Sequence, residues 1–440
     1  MFSVLDYGAH ADGKTLDRAP FQAAIDACAE AGGGTVLVPA GTYLLGTVIL
    51  HSGVHIRFED GTKILGSADF ETDYLPREPF VGGKYQDDSH SFFDHSLFLA
   101  KECHDIGMTG HATIDMQGIF TDLEHGQYYR NVKVITFVSC TDIVLADMTI
   151  LDAADLAIWL YDCERARLHG LSLDVLVDGI TPDACRDVVI SDCLIKADDD
   201  ALVLKTSFPL GRFVHSKNIA VRNCTVSSNA SAIKIGTETN GDFENISITG
   251  CVLKNTRRAG IAIESVDGAN IRGVVISNIT MYRVSSPIFI RLGARMRAPE
   301  GTPIGSMRDI TLSSIYADYD GTPYDTHYIY LPGQQNIGPS STPYPYVPII
   351  MGIPDHPIEN LMIRDVCITV PGGVAVADAL PLPLPEKENA YPDTNMFGWE
   401  KPLPAACLMM RHVRGYRERN LVLRTREPDE RPLAIYDDVE

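Results

Sequence analysis

Between residues 140 and 195 one pattern is written three times. Cys140-Thr141-Asp142-Ile143-Val144-Leu145, Cys163-Glu164-Arg165-Ala166-Arg167-Leu168 and Cys185-Arg186-Asp187-Val188-Val189-Ile190 begin 23 and then 22 residues apart. Looser copies follow at Lys217-Asn218-Ile219, Phe243-Glu244-Asn245-Ile246 and Ala269-Asn270-Ile271. A period in the low twenties suits a leucine-rich repeat or a right-handed parallel β-helix. The leucine-rich consensus and its helical half-repeat are both missing, and each coil carries short strands of alternating Val, Ile and Leu. The chain is therefore expected to be all-β, a single right-handed parallel β-helix over residues 1–440.

One segment departs from that pattern. In Thr15–Ala31, Phe21, Ala24, Ile25 and Cys28 recur at three- and four-residue steps before Gly32-Gly33-Gly34, which predicts a short amphipathic helix. Its place is over the N-terminal end of the coil stack, where uncovered strands would expose backbone edges. Long non-repeating stretches at about 67–96, 115–131, 319–358 and 371–403 interrupt the coils and are expected to wall a groove or to decorate the stack. Ten Cys without a CxxC pair read as buried thiols, and Cys193, Cys224 and Cys251 as one inward ladder.

Charge narrows the partners. Lys plus Arg number 37 against 58 Asp plus Glu, a net −21, which argues against nucleic acid and against an anionic membrane surface. No run approaches the ~18 apolar residues of a membrane span, and Met1-Phe2-Ser3-Val4-Leu5 lacks the basic and apolar regions of an export signal. As written, the chain is expected in the cytoplasm, or outside it if a leader has been trimmed.

The coil alignment places Asp178 one rung before Asp200, with Asp199 adjacent. Equivalent points in successive coils stack at about 4.8 Å. Three carboxylates thus converge, at a separation expected to reach the roughly 6.5–9.5 Å that lets an inverting glycosidase fit a water. Like charges so close favour one protonated acid beside an ionised base. A solvated acidic turn or a calcium site are the other readings of the same triplet. If Ile158, Ile180, Leu202, Ile233, Ile261 and Ile288 point inward, alternation turns two columns outward beside the acids. The first is Trp159, Thr181, Val203, Lys234, Ala262 and Phe289; the second is Tyr161, Asp183, Lys205, Gly236, Glu264 and Arg291. Exposed Trp and Tyr among charged groups suit sugar rings, so Trp159, Asp183, Lys205, Lys234, Glu264 and Arg291 are candidate substrate contacts, together with Glu238. The charged members could equally neutralise one another along a solvated face.

These residues resemble a known family. Val4-Leu5-Asp6-Tyr7-Gly8-Ala9, Asp12-Gly13-Lys14-Thr15 and Gly33-Gly34-Thr35-Val36-Leu37-Val38-Pro39-Ala40-Gly41-Thr42-Tyr43 are similar to the N-terminus of pectin-degrading β-helix enzymes. Asp178-Gly179-Ile180 followed by Asp199-Asp200, 21 positions from first aspartate to second, resembles the motif pair of glycoside hydrolase family 28, the polygalacturonases. The resemblance implies hydrolysis with inversion, Asp199 as general acid, Asp178 and Asp200 holding the attacking water, an oligo- or polysaccharide substrate, and no metal or cofactor. It also has departures. Leu176-Val177 stand where the family has Asn-Thr, Ser231 where it has the active-site His, and Ala262-Ile263-Glu264 where it has the Arg-Ile-Lys that binds galacturonate. Keeping the aspartates while changing the substrate-reading residues implies a different glycosyl substrate, taken from the chain end if the long loops close the groove. A calcium-dependent lyase or epimerase and a non-catalytic carbohydrate-binding β-helix are the competing functions.

Overall fold

In the computed structural model, residues 1–79, 84–118, 132–322, 347–398 and 400–440 are described; residues 119–131 of the expected 115–131 loop, 323–346 of the 319–358 loop and short parts of the other two lie outside that set. The repeat builds a parallel β-helix. Three ladders of short strands wind round one apolar core, and the crossover rule gives the winding its right hand. The ladder that follows each repeated Cys runs through Thr141–Ala146, Glu164–His169, Arg186–Ser191, Ser216–Arg222 and Phe243–Thr249. A second runs through Thr149–Leu151, Ser172–Val175, Leu194–Ala197 and Thr225–Ser228. The third, which carries the candidate site, runs through Ile158–Tyr161, Ile180–Asp183, Leu202–Thr206 and Ile233–Thr239.

The Asp or Asn that recurs near the start of this ladder, with Arg165 in its place in one coil, has a backbone cause. Asp142, Asp187, Asn218 and Asn245 sit at φ between 55° and 59°, the left-handed region that Asx residues tolerate best. Their side chains also bond from coil to coil, Asn218 Nδ2 to Asp187 Oδ1 at 2.7 Å and Asn245 Nδ2 to Asn218 Oδ1 at 3.1 Å. The expected inward column is real: Ile158, Ile180, Leu202, Ile233, Ile261 and Ile288 are successive register partners and all are buried. So is the ladder of Cys193, Cys224 and Cys251. The helix spans Arg18–Glu30 and buries Phe21, Ala24, Ile25 and Cys28 on the first coils. No described helix is long and apolar enough to cross a membrane.

The outward columns differ from expectation. Trp159, Tyr161, Thr181, Val203, Ala262 and Phe289 point away from the coil interior yet are buried. The non-repeating stretches lie on them. Phe93 stacks on Trp159 with centroids 4.8 Å apart, and Val138, Leu156, Val177 and Val214 complete a second small core there. Further along, Leu384, Met396 and Leu403 cover Ala262 and Phe289. A large aromatic surface is stabilised by about 25 cal/mol per Å² when water leaves it, so a loop able to reach this face gains by covering it.

Candidate active site

The acid corner lies between the second and third ladders, where Asp178 and Asp199-Asp200 precede strands Ile180–Asp183 and Leu202–Thr206. One oxygen from each of Asp178, Asp199 and Asp200 lies within 4.8 Å of the others. Two contacts draw the rungs together: Asp178 Oδ1 accepts the Asp200 N–H at 3.3 Å, and the Gly179 N–H donates to Asp200 O at 3.1 Å. Glycine is required at 179 because a Cβ there would stand 2.4 Å from the Ala201 carbonyl oxygen. We expect Gly179→Ala to destabilise the fold by about 1–3 kcal/mol and to spread the carboxylates, reducing turnover; denaturant unfolding and kinetics check both.

Each buried aspartate is fixed at both oxygens. Asp178 Oδ2 lies 3.3 Å from Lys205 Nζ; Asp200 Oδ1 accepts the Ser231 N–H at 3.0 Å, and its Oδ2 lies 3.1 Å from Lys234 Nζ. Ser231 therefore serves Asp200 through its backbone. Asp199, the third member, is partly exposed, and its neighbour Asp198 lines a groove of about 850 Å³ along the outside of the second ladder, with Asn229, Asp152 and Lys196.

Both lysines continue outward to a glutamate. Lys205 Nζ is 3.1 Å from Glu238 Oε2, and Lys234 Nζ is 3.8 Å from Glu264 Oε2. Glu238 reaches this position because the ladder bulges: Leu204 pairs with Ile235 but Thr206 pairs with Thr239, so Gly236-Thr237-Glu238 face one residue. Burial works to depress both lysines, but Glu238 and Asp178 hold Lys205 above its ordinary value, and Asp200 and Glu264 do the same for Lys234. Burial pushes the Glu264 carboxyl up to about 8 despite Lys234, and Asp183 up to about 6. A carboxyl raised on folding adds its destabilisation as pH climbs from its unfolded to its folded value, because there the native state alone binds the proton. Stability should therefore fall from about pH 4.5 to 8, by at most roughly 1.4 kcal/mol per pH unit for each such group, and Glu264→Gln should flatten the curve. Urea melts across that range measure it.

Of the candidate contacts, Lys205, Lys234, Glu238 and Glu264 join the three aspartates in one network. Trp159, Asp183 and Arg291 do not. Trp159 is 0% exposed and donates from Nε1 to Asp183 Oδ2 at 3.1 Å, while Asp183 Oδ1 accepts the Ser207 N–H at 2.7 Å. The pair secures the covering segment rather than offering a face to sugar. Arg291 is 2% exposed and donates to the carbonyls of Gly352, Glu386 and Lys387, clamping C-terminal segments. Sequence reasoning missed Arg297, which pairs with both Glu238 and Asp87, and Arg295, which holds Asp267. The alternating Arg295-Met296-Arg297 was its only signal. It also missed a buried pair on the two coils before Asp178, Lys133 with Asp155 at 4.0 Å.

The profile of Glycosyl hydrolases family 28 matches residues 28–365. A probable polygalacturonase of Vitis vinifera is 25% identical over 297 residues, which are 63% of this chain and 60% of that protein, so the likeness spans three fifths of the relative. Two solved structures share the fold. An exopolygalacturonase from Thermotoga maritima gives a TM-score of 0.66 at 20% identity, covering 83% of this chain and 86% of the other. A family 28 exopolygalacturonase from Yersinia enterocolitica gives 0.67 at 17% identity, covering 100% and 78%.

Proposed function

Because this chain belongs to glycosyl hydrolases family 28, we propose that it hydrolyses a glycosidic bond in a plant-type or pectin-related oligo- or polysaccharide, from the chain end and with inversion, and that it is not a standard polygalacturonase. The observation that carries this reading is the convergence of Asp178, Asp199 and Asp200 within 4.8 Å, two of them buried and fixed and one reachable from solvent. Asp199 is the proton donor to the departing oxygen. Asp178 and Asp200 hold the water whose oxygen attacks the anomeric carbon.

In a retaining enzyme a carboxylate attacks the anomeric carbon directly. What favours water is the fixing of both buried aspartates: one oxygen of each is tied to a backbone N–H and the other faces a lysine. Carboxylates held in that way can still accept a water's protons through their remaining lone pairs but have little freedom to move onto carbon. Chain-end action is supported by the covered outer face of the third ladder, where Phe93 and its neighbours close what would otherwise be an open track.

Digestion of a saccharide panel with NMR of the first-formed anomer tests the whole reading. Release of terminal sugar with inverted configuration, unaffected by EDTA, is the expected result. An EDTA-sensitive reaction giving an ultraviolet-absorbing unsaturated product would instead identify a calcium-dependent lyase, and saccharide binding without product would leave a binding module.

A further inference from the structure

Resting on the hydrolase reading, we propose that the ring seated at the acid corner is a neutral sugar, carrying hydroxyls and no carboxylate. The argument is a charge census. Asp178, Asp199, Asp200, Glu238 and Glu264 surround the corner, and the lysines and arginines that pair with them or flank them are already committed. Lys205 lies between Asp178 and Glu238, and Lys234 between Asp200 and Glu264. Arg297 is held by Glu238 and Asp87, Arg295 by Asp267 and the Thr237 carbonyl, and Arg291 by three backbone carbonyls.

A uronate entering this corner would bring a carboxylate beside Asp178, Asp200 and Glu238, whose cationic partners are already shared. Desolvating such a charge is favourable only with a dedicated ionic partner, and taking one from Asp178 or Asp200 would strand a buried aspartate. A hydroxylated ring meets a different situation. Glu264 is 2% exposed and its Oε2 has no hydrogen bond, although Lys234 is near enough to polarise it. Burial raises the Glu264 carboxyl, so that near neutral pH it can donate to a sugar hydroxyl as well as accept from one. Buried groups of this kind reward a hydroxyl and penalise its absence.

The test separates charge from stereochemistry. Homogalacturonan and the same polymer after carboxyl reduction share ring configuration and linkage and differ only in carboxylate against hydroxymethyl. They are digested by the full chain in parallel with a panel of neutral α- and β-glycosides. The expected result is kcat/KM at least about 100-fold higher on the reduced polymer or on a neutral glycoside than on homogalacturonan, with Glu264→Lys shifting the ratio at least tenfold towards the uronide. Equal or faster cleavage of homogalacturonan overturns the neutral-sugar proposal while leaving the hydrolase reading intact. Absence of hydrolysis on every substrate overturns both. If Glu264→Lys fails to fold, Glu264→Gln replaces it, and it should preserve the preference for the neutral polymer; reversal of that preference counts against the proposal.

Discussion

Asp199→Asn should lower turnover by about 10³–10⁴-fold while leaving the melting transition within a degree or two of the parent. Asparagine keeps the size of the side chain and removes only the proton it can deliver. The two lysine pairs that brace the corner run to Asp178 and Asp200, so the ionic framework does not depend on Asp199 being charged. Loss should appear in kcat with KM little changed, the signature of an interaction made in the transition state. Asp178→Asn and Asp200→Asn make the contrast. Each should abolish turnover comparably, yet each weakens the pairing of a buried lysine and should also lower stability by about 1–3 kcal/mol. A substantial fraction of parental turnover in Asp199→Asn on an identified substrate would remove Asp199 from the acid role.

What the sequence disclosed and what it hid have the same cause. Strand register was legible because alternation and a 22-residue period act together: once Ile158 is set inward, Ile180 and Leu202 must follow, since a slip of one residue would expose the whole column. The convergence of Asp178 with Asp199-Asp200 is a consequence of that register. The fate of the outward columns was not, because Trp159 is covered by Phe93 and Ala262 by Leu384, residues from stretches with no period to align. Alternation distinguishes inside from outside of a coil; it says nothing of a second layer laid on the outside. Glu238 was recognised as a polar group near the cleft, but its pairing with Lys205 needs the bulge at 236–238, which pattern alone does not locate.

The covered layer leads to a further expected effect on stability. Lys133 and Asp155 are both 0% exposed, 4.0 Å apart, and neither Lys133 Nζ nor Asp155 Oδ2 has a hydrogen bond. The ammonium sits instead 3.0 Å from the centroid of the Phe92 ring and 5.4 Å from that of Trp159. Burial depresses Lys133 to about 7, with Asp155 opposing the shift. A base depressed on folding subtracts most stability below its folded value and least above its unfolded one, so native stability should rise between about pH 7 and 10.5, with a limiting slope of roughly 1.4 kcal/mol per pH unit. Asp155→Ala should cost about 1–3 kcal/mol at pH 7, chiefly the buried acceptor of the Leu156 N–H, because Lys133 sheds its proton rather than standing as an unpaired ammonium. Lys133→Met with Asp155→Leu should recover most of that loss and remove the rise that Lys133 contributes above pH 7, because this pair no longer has charges to desolvate. Urea unfolding of the parent, the single variant and the double variant at pH 7 and pH 9.5 checks the three expectations together. If the double variant is no more stable than Asp155→Ala at pH 7, the pair is contributing through packing and geometry, and the electrostatic account of this wall of the site is wrong.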